Sequence, residues 1–99
     1  MSLVFLPSAR ADLVAIAKYI GRDSRVRALS FVKELRQSCY RIQDMPRAWP
    51  LVPRHERSGI RRRVHGNYLI FYRIEADRIE ILHILHGAMD VEAVLFPPG

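Results

Sequence analysis

Hydrophobic positions change their period twice along the chain. Residues 3–6 (Leu-Val-Phe-Leu) are continuously apolar and end at Pro7, which predicts a short buried strand. Ala9, Leu13, Ile16, Ala17 and Ile20 then recur at helical spacing. Ser8 offers an N-cap, Asp12 an acid for the first turn, and Gly21 a left-handed stop. A second stripe, Ala28, Phe31, Val32, Leu35, Cys39 and Ile42, predicts a helix from about Arg25 to Asp44. Asp23 or Ser24 caps it, and it stops before Pro46. So few residues separate the two stripes that the helices must form an antiparallel hairpin.

Met45–Ser58 carries three prolines and Trp49, and reads as an irregular connection. From Ile60 the period becomes two. Ile60–Val64 is a short basic strand, Gly66-Asn67 a tight turn, and Tyr68–Glu75 the second arm of a hairpin. Ala76-Asp77 is a further turn. Arg78–His86 is a strand apolar on both faces at its centre, as an interior strand should be. Gly87 breaks it. A short terminal helix begins near Asp90, with Val91, Val94 and Leu95 facing inward. The order β-α-α-β-β-β with a short C-terminal helix predicts one α+β domain over residues 1–99: an N-terminal strand and helical hairpin packed on a mainly antiparallel sheet.

Composition narrows the class. Of 99 residues, 49% are hydrophobic, which excludes a disordered chain, and the single cysteine excludes a disulfide scaffold. No apolar run approaches the ~20 residues of a bilayer span. The first residues lack the basic start and apolar stretch of a signal peptide. A cytoplasmic protein without membrane attachment is the expectation.

The net charge of +6 is concentrated. Between Arg47 and His65 six arginines accompany one acid, Glu56, a local balance of +5. Arginine outnumbers lysine fourteen to two. Guanidinium groups grip carboxylate and phosphate bidentately, so this segment reads as a docking surface for something anionic.

Candidate chemistry is sparse. His83 and His86 resemble a chelating pair, but residues three apart on a strand point to opposite faces and cannot share a metal. Cys39 lies on an apolar stripe and belongs to the core. No cofactor motif is present. One enzymatic reading stands: metal-free RNA cleavage. Arg61, Arg63 and Arg73 would hold the phosphate, if the strands bring them together, and His83, His86, Tyr68 or Glu56 would move protons. Arg61 and Arg63 share a strand face, and Arg62 opposes them. Trp49 could stack on a partner, whereas Tyr72 packs in the sheet.

Several segments resemble the ParE/RelE superfamily of toxins from bacterial type II toxin–antitoxin systems. They are Ser8-Ala9-x-Ala11-Asp12-Leu13 with Ile16 and Tyr19-Ile20, then Ala28 and Phe31-Val32, then Pro46 and Tyr68-Leu-Ile-Phe-Tyr72-Arg73. The ending Ile81-Leu-His-Ile-Leu-His86-Gly87-Ala-Met-Asp90 resembles the ParE branch, except that Met89 stands where such sequences often have Arg. After Asp90 there is no Tyr, His, Lys or Arg of the kind RelE-like nucleases use.

The resemblance implies a toxin that inhibits DNA gyrase without enzymatic chemistry of its own, and that needs no cofactor. It also implies neutralisation by a ParD-like antitoxin, a ribbon–helix–helix dimer. The toxin itself would make no sequence-specific DNA contact. The alternative is a RelE-like ribosome-dependent mRNA endonuclease. The antitoxin's acidic C-terminal tail is expected along the helical hairpin and the basic sheet edge. Arg61, Arg62, Arg63, Arg73, Trp49, His86 and Asp90 are the partner-binding candidates. Charge reversal of Arg61–Arg63 is expected to weaken partner binding without abolishing it.

Overall fold

The computed structural model describes residues 1–98. Its elements are β1 (Ser2–Phe5), α1 (Pro7–Gly21), α2 (Arg25–Arg41), β2 (Arg61–His65), β3 (Tyr68–Glu75), β4 (Arg78–His86) and α3 (Val91–Leu95). The α+β architecture and element order are those the periodicities predict. The sheet order is β1-β4-β3-β2. β1 joins β4 in parallel, and the other two pairs are antiparallel.

α1 begins two residues earlier than its cap signal suggests. Leu6 is the cap and Pro7 the first helical residue, because proline's fixed φ suits that position and its missing N–H costs nothing there. Ser8 is therefore inside the helix. Gly21 is also helical, and the positive φ values lie instead at Gly59 (74°), Gly66 (59°), Arg54 and Ala76. Ser24 caps α2 by accepting the Arg27 N–H at 3.1 Å. The helix ends at Arg41, and a tighter turn over Ile42–Asp44 completes the segment.

Two apolar clusters hold the layers. Ala9, Leu13 and Ile16 of α1 and Leu35 and Cys39 of α2 pack with Ile42 on Ile70, Tyr72, Ile79, Ile81 and Ile84 of the sheet. The opposite sheet face carries Phe71 and Leu85, covered by Val52, Ile60, Val91, Leu95 and Phe96. Val94, expected inward, is 37% exposed: the short α3 turns only Val91 and Leu95 onto the sheet, and Phe96 takes the remaining space.

One irregularity organises the top of the sheet. Phe71 pairs with His83 but Tyr72 with Ile81, so Leu82 is an extra residue in β4. Ile81 and Ile84, three apart, therefore both join the core under the helices. β1 pairs with β4 only as far as Ile81, leaving the rest of that edge uncovered. α1 closes it with side chains. Ser8 Oγ donates to the Leu82 carbonyl at 2.6 Å. Asp12 Oδ2 accepts the Ile84 N–H at 2.9 Å and lies 2.8 Å from His83 Nδ1. Ser8 and Asp12 are four residues apart, which puts them on one helix face. Asp12, which the sequence suggests as a first-turn acid complementing the helix dipole, serves as a tertiary clamp. His83 is its partner.

Candidate partner-binding surface

The basic strand β2 lies at the sheet edge. Its alternation points Arg61 and Arg63 toward the helix side, with Arg62 on the other face. Arg61 Nη1 donates to the carbonyls of Trp49 (2.8 Å) and Arg47 (3.2 Å). Arg63 Nη1 donates to the Ser38 carbonyl at 2.7 Å, and its guanidinium lies 4.6 Å above the Trp49 ring. These two cations tie the Met45–Ser58 connection and the end of α2 to the sheet. Arg62 makes no ion pair among the described residues; only its main-chain N–H is held, by the Pro50 carbonyl at 3.0 Å.

The remaining candidates are dispersed. Tyr72 packs under the helices, so Arg73, its neighbour on β3, lies on the opposite sheet face. Its Nε donates to Glu80 at 3.0 Å and sits 4.0 Å from Glu75. Arg78 also bonds Glu80, whose side chain is buried. The hydrogen bond from Arg73, reinforced by Arg78, holds the Glu80 carboxyl below the ordinary range despite burial. His86 Nδ1 accepts the Ala88 N–H at 3.0 Å, with the ring edge-on to Tyr68. Asp90 caps α3 by accepting the Ala93 N–H at 3.2 Å. Arg61, Arg63 and Arg73 thus do not converge on one point. Cys39 is buried, and desolvation pushes its thiol up to about 12, so it is no nucleophile. Among the described residues no three His, Cys, Asp or Glu side chains group to hold a metal.

The helical hairpin, along which the antitoxin tail is expected, has an outer surface whose residues the sequence reading does not name. On the outer side of the helical hairpin Val14, Val26 and Leu29 are 53%, 79% and 75% exposed. A groove of about 480 Å³ runs between the helices near their turn, lined by Ala17, Gly21, Ala28 and Leu29 and flanked by Lys18, Arg22 and Arg25. The signal was available: Val14, Val26 and Leu29 are the large aliphatic residues of both helices that fall off the inward stripes. Exposed apolar side chains beside such a groove make this face a candidate contact surface.

The different jobs of the arginines are testable. Arg63→Ala is expected to lower stability by about 1–2 kcal/mol, because it frees the Ser38 carbonyl and uncovers Trp49. Arg62→Ala should stay within about 0.5 kcal/mol. Urea denaturation of the two variants makes the comparison. Equal midpoints would mean that the Arg63 contacts contribute nothing.

A helical hairpin on a four-stranded mixed sheet, with cationic helix and edge surfaces and a clamped β4 bulge, defines a small α+β protein. Comparison with known proteins makes the class specific. Residues 3–91 match the family described as the ParE toxin of the type II toxin–antitoxin system parDE, and the chain belongs to that family. It is 32% identical over 88 residues to Toxin ParE1 of Caulobacter vibrioides, covering 88% of this chain and 90% of that protein. Among solved structures it resembles one titled as the chromosomal ParDE system from P. aeruginosa. There the TM-score is 0.75 at 25% identity, over 87% of this chain and 95% of the other.

Proposed function

We propose that this toxin acts as a single-domain cytoplasmic protein that stalls DNA gyrase by binding it, and that a ParD-like antitoxin with an acidic C-terminal tail neutralises it. The observation that carries the binding reading is the exposed apolar ridge of the hairpin, Val14, Val26 and Leu29, beside the Lys18, Arg22 and Arg25 cations. An amphipathic acidic helix fits such a surface. Its apolar face fills the groove and supplies most of the affinity, while its carboxylates meet the flanking cations and speed encounter. The ParDE title of the structural relative supports an antitoxin partner.

The nuclease alternative is less well supported. RNA cleavage needs cations on one phosphate with an acid and a base beside it. Here Arg61 and Arg63 hold main-chain carbonyls, and Arg73 holds Glu80 across the sheet.

Purified gyrase tests the proposal. With toxin in excess, supercoiling should fall and broken-DNA complexes should accumulate. Unchanged supercoiling, or codon-positioned cuts mapped by primer extension on translating ribosomes, would overturn it.

A further inference from the structure

A cavity of about 440 Å³ opens between α1 and the end of the sheet where Tyr68 of β3 pairs with His86 of β4. Its walls include Asp12, Ile16 and Tyr19 of α1, together with Tyr68, His86 and Met89. A volume of this size accepts one long side chain or a small ligand. The chain carries sixteen lysines and arginines, yet among the described residues none lines this cavity. Arg22 stands 6.0 Å from the Tyr19 ring, at the outer limit of a cation–π contact, and is not one of the walls.

The groups on these walls share one electrostatic sense. Asp12 commits Oδ2 to His83 Nδ1 and the Ile84 N–H, whereas its Oδ1 makes no hydrogen bond among the described residues. Tyr19 and Tyr68 supply aromatic faces, which carry negative potential. Burial pushes the Tyr68 phenol above its ordinary range, and the nearby Tyr19 phenol adds to this. His86 accepts the Ala88 N–H through Nδ1 and so stands as a neutral ring. The Met89 thioether is soft and polarizable. A free carboxylate oxygen, two aromatic faces and a thioether favour a cation, and no wall residue offers a positive charge to an anion.

We propose that this cavity is the receptor for an arginine side chain of a partner protein. The aliphatic stem packs on Ala15, Ile16 and Leu85, and the guanidinium meets Asp12 Oδ1 beside the tyrosine rings. Arginine suits the walls better than lysine. Its planar head stacks on aromatic faces and is more weakly hydrated than an ammonium, so it loses less on leaving water. A side chain suits them better than a free amino acid. One carboxylate answers one cation, and nothing on the walls answers an α-carboxylate. A phosphate group would meet Asp12 as a like charge. The cavity also sets a register. A partner that brings acids to the cationic surfaces and one arginine to this point is held in a single orientation, because reversing it would set like charges together. This demand for a base is independent of whether the partner is an antitoxin or gyrase.

The probe is acetyl-arginine-methylamide, titrated into isotope-labelled protein, with the citrulline analogue as its neutral isostere. The arginine probe should shift the Ile84, Leu85 and His86 amides saturably in the millimolar range, as befits one isolated side chain. The citrulline probe should bind at least about fivefold more weakly. Tyr19→Leu alters a residue that is 65% exposed, and should weaken the arginine probe about threefold to tenfold while Tyr19→Phe retains it. Asp12→Asn should erase the preference for arginine over citrulline. If that variant fails to fold, the Tyr19 pair carries the test. Equal binding of the two probes to the unaltered protein, or shifts that Tyr19→Leu leaves unchanged, would overturn the inference. Free arginine binding about tenfold more tightly than the capped probe would make the cavity a small-molecule site and overturn the partner assignment. None of these readouts depends on whether the protein inhibits gyrase.

Discussion

Replacing Asp12 with alanine is expected to lower unfolding free energy by about 2–3 kcal/mol, the range for losing part-buried hydrogen bonds to a carboxylate and leaving a buried N–H without a partner. For a chain of this size that corresponds to roughly 10–20 °C in Tm. The reason is positional. Asp12 Oδ2 is the acceptor for the Ile84 N–H, where β1 no longer covers β4, and Ile84 itself is 1% exposed. Alanine leaves that donor without a partner and removes the contact to His83. Asp12→Asn keeps an acceptor oxygen and should lose about half as much. Thermal unfolding followed by circular dichroism measures both. A Tm change of only a degree or two in the alanine variant would show that apolar packing alone seats α1.

Tyr72 separates packing from chemistry. Its ring is fully buried between the helices and the sheet, and its hydroxyl donates to the Pro46 carbonyl at 2.6 Å. Burial also raises the phenol above its ordinary range, although Arg61 and Arg63 pull it back. Tyr72→Ala should cost about 3–5 kcal/mol, a large part of a typical domain's stability, and populate unfolded protein at 37 °C. Tyr72→Phe keeps the ring and should cost about 1 kcal/mol. Its effect should concentrate in the connection that Pro46 begins, seen as faster amide exchange from Arg47 to Trp49. Toxicity should survive Tyr72→Phe if the residue is structural. Loss of toxicity at near-native stability would instead make the hydroxyl a working group and revive the nuclease reading.

The interior was legible because it is written in local repeats. Leu13 and Ile16 on α1, Leu35 and Cys39 on α2, and Ile79 and Ile81 on β4 occupy the positions their spacing assigns, and all are buried. The turns at Gly66-Asn67 and Ala76-Asp77 lie where the period breaks. The Leu82 bulge was not legible: an extra residue shifts the alternation only relative to a partner strand, and β4 taken alone shows none. The arginines were half legible. Their sequence cluster announces a cationic segment, yet the carbonyls that bind Arg61 and Arg63 sit 12 to 25 residues upstream.

By itself the chain determines its periodicities, hence its elements, its core and the place of its charge, since those follow from 3.6 and 2 residues per repeat along one stretch. Its resemblance to ParE toxins was also visible in residues spread over both helices and the last strands. Only the tertiary structure decided what each polar group does. Asp12 meets Ile84 across 72 positions, and Arg73 is separated from Arg61 by the thickness of a sheet. Hydrogen bonds of that kind depend on which strands adjoin and where one ends, and strand order is a property of the assembled sheet rather than of any segment within it.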